Sequence, residues 1–117
     1  MNKFSYEERA KVYADALATF GTGVQLIVAL EEMSELQKEL CKALRGDLNL
    51  RHLAEEVADA TIMLEQVRQM FNINGQVCEI MDEKVTRLQQ RIGYAKQIKD
   101  PVIDMATLRS IFENLEG

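Results

Sequence analysis

Tryptophan is absent from this chain, and proline and histidine each occur once. Proline breaks a helix interior by removing a donor and clashing with the preceding turn. With only Pro101, almost the whole chain is free of that constraint. Cys41 and Cys78 form no CxxC pair and no disulfide framework, so both read as reduced small hydrophobes. One histidine, His52, counts against a di-iron carboxylate bundle, which wants two Glu-x-x-His motifs. It also leaves Ser34 without a nearby base, so nucleophilic serine chemistry is rejected. Basic residues are in the minority, 14 Lys and Arg against 19 Asp and Glu. The net charge of −5 argues against a general binder of nucleic acid or of anionic membranes. The opening MNKFSYEERAKVY is charged and lacks an apolar signal core. The longest uncharged stretch, ALATFGTGVQLIVAL, is interrupted by Gly21 and Gly23 and followed by Glu31, so it does not read as a membrane span. Cytoplasmic residence is the expectation.

What is present is helical periodicity, with no alternating strand pattern. The expected fold is all-α, an antiparallel bundle of about four helices plus a short C-terminal helix. Ser5 and Glu8 form a capping-box pattern, and a first helix runs from there to Gly21. Thr22 is placed to cap a second helix ending near Arg45 and Gly46. A third runs from Asn49 or Leu50 to Phe71, with Leu53, Val57, Ala60, Leu64, Val67 and Phe71 as its apolar stripe. A fourth spans about Gln76 to Ile92 and points Val77, Ile80, Met81, Val85, Leu88 and Ile92 inward. Residues 1–93 form the main domain. Residues 94–117 hold a linker, GYAKQIKDP, and an amphipathic helix capped by Asp104 and lined by Leu108, Ile111, Phe112 and Leu115. Hydrophobic residues make up 47% of only 117, more than so small a domain hides alone. A homodimer or homotetramer is therefore expected.

Two acidic clusters stand out. Glu31-Glu32-Met33-Ser34-Glu35 lies on the second helix and Glu55-Glu56-Val57-Ala58-Asp59 on the third. Glu32 and Glu35 are three residues apart, as are Glu56 and Asp59, so each pair shares a helix face. Two antiparallel helices can aim these four carboxylates at one point, where a cation would relieve their repulsion. Oxygen-only donors favour Mg²⁺, with Mn²⁺ as a substitute. The alternative is a solvated acidic face: Glu32, Glu35 and Glu39 lie roughly opposite the stripe Leu26, Leu30, Met33, Leu40 and Leu44. Against it, residues 24–30 are apolar almost all round, and Glu56 and Asp59 share their flank with Met63 and Met70. Lys84, Arg87 and Arg91 form one basic face of the fourth helix, suited to polyphosphate or to surface pairing with Asp82 and Glu83. Gln25 sits two turns before Glu32 and reads either as a substrate contact or as a structural amide. His52 reads as a site neighbour or as a surface residue near a helix start.

EEMSE at 31–35, EVAD at 56–59 and the K-x-x-R of DEKVTRLQQRI, in that order, resemble the MazG-like branch of the all-α nucleoside triphosphate pyrophosphatases. The resemblance covers about residues 15–92. It implies that Glu32, Glu35, Glu56 and Asp59 hold Mg²⁺. Lys84 and Arg87 would bind phosphate, Glu35 would orient or deprotonate the attacking water, and Glu31 would help a second metal or stabilise a neighbour. The implied reaction converts a nucleoside triphosphate, ribo- or deoxyribo-, to the monophosphate and pyrophosphate, as a nucleotide-pool cleaning step. Many relatives carry Asn shortly before the lysine where this chain has Asp82. The other readings are a catalytically weak MazG-like nucleotide-binding or interaction protein, and a plain helical oligomer.

Overall fold

The computed structural model describes residues 3–98 and 104–116. Among these it contains five helices and no strand, so the fold is all-α as expected. Helix α1 (Tyr6–Phe20) begins with the anticipated capping box: Ser5 Oγ accepts from the Glu8 N–H at 3.1 Å and Glu8 Oε1 accepts from the Ser5 N–H at 3.2 Å. It ends at Gly21, whose φ of 88° suits a residue without a Cβ. Helix α2 (Thr22–Leu44) follows at once. The expected Thr22 cap is not made, because Gly21 takes the bend itself and Thr22 becomes the first helical residue. Helix α3 (Leu50–Met70) is capped by Asn49, whose Oδ1 accepts from the His52 N–H at 3.1 Å. It stops at Phe71 and Asn72, where the φ of 53° is one asparagine tolerates.

The chain divides into two compact units, Met1–Asn72 and Ile73–Gly117. In the first, α2 and α3 form an antiparallel hairpin across the Arg45–Asn49 connection, with α1 packed on both. The hairpin seam steps by three and four residues. Gln25, Ala29, Glu32, Leu36, Glu39 and Ala43 of α2 meet Leu53, Glu56, Ala60, Met63, Val67 and Met70 of α3, all of them buried or half-buried. That is the spacing of a two-helix supercoil. It corrects the expected core. On α3 the buried positions are Ala60, Met63 and Gln66, whereas Val57 and Leu64 are exposed. On α2, Leu30 and Leu40 are exposed while Glu39 is buried. The helices turn their polar, small-residue sides toward each other, leaving Val24, Ile27, Leu30, Val57, Ile62 and Leu64 on the surface.

Helix α1 is tied to α3 by polar links. The Tyr13 hydroxyl donates to Glu65 Oε2, Arg9 lies 3.6 Å from Glu65, and Gln69 Nε2 donates to the Ala10 carbonyl at 3.0 Å. Burial and the Glu65 carboxylate push the Tyr13 phenol up to about 12, against a smaller opposing pull from Arg9. A raised folded value means the neutral phenol stabilises the fold below the unfolded value near 10, and that this is lost as pH rises through about 12. Tyr13→Phe is therefore expected to lower stability at neutral pH by about 1–2 kcal/mol. It should also flatten the loss of stability above pH 10, the unfolded value, both read by chemical denaturation across pH.

In the second unit, α4 (Asn74–Ile98) and α5 (Met105–Glu116) are each amphipathic. Helix α4 runs through Gly93 to Ile98, so most of the expected linker is helical. One interior glycine costs about 1 kcal/mol, which Ala95, Lys96 and Gln97 tolerate as good helix formers. The expected inward stripe of α4 is not buried: Val77 is half-buried, and Ile80, Met81, Val85, Leu88 and Ile92 are exposed. Asp104 caps α5, accepting from the Thr107 N–H at 2.7 Å, and those backbone bonds hold its carboxyl below the usual range. Leu108, Ile111 and Leu115 are exposed and Phe112 is half-buried. Among the described residues no single helix is long and apolar enough to cross a membrane.

Candidate metal centre

The centre of the α2–α3 seam is acidic. One carboxylate oxygen from each of Glu32, Glu56 and Asp59 lies within 4.8 Å of the others. Glu32 is half-buried on α2, Glu56 is half-buried on α3, and Asp59, one turn further, is exposed at the rim. Ala29 and Ala60, both buried, occupy the adjacent seam positions. Their small side chains leave room for the carboxyl groups between the two backbones.

Three carboxylates so close cannot all ionise freely. Burial, then the charges of Asp59 and Glu56, push Glu32 above its ordinary carboxyl range; a hydrogen bond with Asp59 and the charge of Glu35 add to this. Glu56 moves the same way, through burial first and then Asp59, Glu35, Glu39 and Glu55. Glu56 Oε2 is buried and accepts no hydrogen bond. An ionised oxygen in that position is costly without a donor or a cation. The donor set, carboxylates and no nitrogen or sulfur, fits a hard divalent cation.

The other predicted residues are distributed as follows. Glu35 is outside the tight trio: it is exposed and pairs with Lys38 at 3.2 Å, yet its charge still reaches Glu32 and Glu56. Glu31 is exposed on α2. Gln25 is buried in the seam, and its Nε2 donates to Gln66 Oε1 at 2.8 Å, which is the geometry of a structural amide. Lys84, Arg87 and Asp82 are exposed on α4, in the second unit. His52 is exposed in the first turn of α3. Met63 is buried in the seam and Met70 half-buried.

Two residues of this region had no assigned role in the sequence reading. Glu39 is buried in the seam seven residues beyond Glu32, pairs with Lys42 at 3.2 Å, and adds to the field at Glu56. Gln66 is the partner of Gln25. The available signal was the three-and-four spacing through Gln25, Ala29, Glu32, Leu36 and Glu39. It mixes polar and apolar residues and so escapes a search for apolar stripes. A separate groove of about 550 Å³ lies between α1 and α3, lined by Val12, Tyr13, Ala58 and Ile62 among others, and none of the three carboxylates lines it.

Comparison with protein-family models, curated proteins and solved structures returns no match.

Proposed function

We propose that this protein is a Mg²⁺-dependent nucleoside triphosphate pyrophosphohydrolase, of the kind its EEMSE and EVAD motifs resemble. The observation that carries the reading is the convergence of Glu32, Glu56 and Asp59 within 4.8 Å across two helices, with Glu56 Oε2 buried and unpartnered. Carboxylates this close repel one another unless a proton or a cation lies among them. Glu32, Glu56 and Asp59 would hold Mg²⁺, with Mn²⁺ as a substitute and Glu35 joining from the next turn. Bound there, the ion would neutralise phosphate oxygens and lower the pKa of a coordinated water. Glu35 is exposed, three residues beyond Glu32 on α2. It would orient or deprotonate the attacking water, and Glu31, exposed on α2, would help a second metal or stabilise a neighbouring carboxylate. By the resemblance alone, Lys84 and Arg87 would take the remaining phosphate charge. Gln25, hydrogen-bonded to Gln66, is read as a structural amide in preference to a substrate contact.

The exposed apolar residues of α2 and α3, and separately those of α4, support a homodimer or homotetramer, since an unpartnered protomer would leave them in water. The deciding experiment is pyrophosphate release from a panel of ribo- and deoxyribonucleoside triphosphates, with Mg²⁺ and with EDTA. Release in Mg²⁺ alone supports the enzyme. Absence of release while Mg²⁺ and nucleotide still bind supports the weakly catalytic nucleotide-binding reading, which Asp82 favours by standing where such enzymes often carry an amide. Arg87→Ala is expected to raise KM for the triphosphate about ten-fold, the worth of one charge-assisted hydrogen bond. It should leave the Mg²⁺-induced rise in melting temperature intact.

A further inference from the structure

The buried Gln25–Gln66 bond lies seven residues from the Glu32–Asp59 contact along each helix, back toward the start of α2 and on toward the end of α3. The two pairs therefore repeat the same cross-seam relation one heptad apart. We propose that Gln25 and Gln66 are a positioning pair that sets the register of α2 against α3 and thereby brings Glu32 to Asp59. The inference rests on the metal-site reading for its functional consequence, but the register claim stands on the seam itself.

Three observations carry it. First, both amides are almost fully enclosed, 7% and 5% exposed. The bond is 2.8 Å, and Gln66 Nε2 also faces Met63 Sδ at 3.4 Å. Second, the remaining seam residues discriminate poorly between registers. Ala29, Leu36, Ala43, Met63, Val67 and Met70 are apolar, and apolar contacts are non-directional. A slip of one seam step would part the two buried amides, and in one direction would set Glu32 opposite Met63, so the amide pair penalises such a slip. Third, the hairpin is pinned independently at its closed end, where the Asp47 N–H donates to the Lys42 carbonyl at 2.8 Å and Gly46 makes the turn at φ 86°. The glutamines hold the open end, and the acidic cluster lies between the two. Its mutual repulsion acts to part the helices at that point.

The test is the double variant Gln25→Leu/Gln66→Leu, which removes both amides and strands neither. Stability should be retained or raised, since apolar residues of similar size replace a buried polar pair. Amide NMR spectra of the metal-free protein should show one set of α2 and α3 signals in the native chain, and doubled or broadened signals confined to those helices in the variant. Mn²⁺ affinity by calorimetry should fall on the order of ten-fold, as for other residues that orient ligands from behind. Sharp single signals with unchanged Mn²⁺ affinity in the variant would overturn the proposal. If the native chain binds no Mn²⁺ but only the variant shows doubled signals, the register role holds and the metal-site reading is what fails. A stable single register in the variant with weaker Mn²⁺ binding would also overturn it, because the amides would then act on the site without setting the register.

Discussion

Asp59→Asn is expected to reduce Mg²⁺-dependent pyrophosphate release about a thousand-fold or more, while raising the melting temperature of the metal-free protein. The two effects have one cause. Asp59 is the leading charge acting on both Glu32 and Glu56, after burial itself, and it shares a hydrogen bond with Glu32. Replacing it with a neutral amide of the same shape relieves that repulsion when no cation is present. The same replacement removes a charged ligand from a cation whose work is to stabilise charge in the transition state. Several kcal/mol of such stabilisation corresponds to about three powers of ten in rate. Opposite signs on stability and activity distinguish a metal site from a folding defect, which would lower both. Glu55→Gln is the control. Glu55 is exposed and bound to Arg51 at 2.9 Å, outside the trio, so its loss should change turnover by less than about two-fold. Undiminished release by Asp59→Asn would remove the cluster from the chemistry.

The helices were legible in the sequence because their signals are local. The Ser5–Glu8 box, Gly21, Asn49 and Asp104 all sit at the ends where they were expected. A cap depends on residues within one turn of it. The faces were less legible, because a helix buries whichever side its neighbour covers. Helix α2 has apolar residues around most of its first half, so the direction of α3 could not be read from α2 alone. Burial of Glu39 and exposure of Leu30 and Leu40 follow from that tertiary choice. Glu32, Glu56 and Asp59 were legible because two spaced motifs on adjacent helices give a cross-helix constraint that one stripe lacks. Glu35 shares a face with Glu32 by spacing, yet it pairs with Lys38 instead of closing on the trio. Three-residue spacing fixes a sector of the helix and leaves the side chain free to choose within it. Gln66 carried no signal except as the partner of Gln25, and a buried amide pair is visible only once both helices are placed.

Saturating Mg²⁺ is expected to reverse the pH dependence of stability across the mildly acidic range. In the metal-free protein the carboxyls of Glu32 and Glu56 lie above their ordinary value of 4.5. Each thus holds its proton more firmly folded than unfolded. The stability this contributes is fully present below the unfolded value and is lost as pH rises through the folded one. The metal-free protein should therefore lose stability as pH rises above about 4.5, by way of this pair. Asp104 acts in the opposite sense, since its lowered carboxyl contributes stability above its ordinary range and loses it in acid. The pair's share is isolated by subtracting the curve of Glu32→Gln/Glu56→Gln. A bound divalent cation requires the ionised forms, so protons compete with it and its stabilisation grows as pH rises. At one hundred times its dissociation constant it adds about 2.7 kcal/mol. For a domain of this size that is a rise of roughly 10 °C or more in melting temperature. Melting curves at pH 5 and pH 7.5, with Mg²⁺ and with EDTA, should thus cross: EDTA favours the lower pH and Mg²⁺ the higher. Parallel curves, or the same crossing in the double glutamine variant, would mean that Glu32 and Glu56 repel each other across the seam without ever sharing an ion.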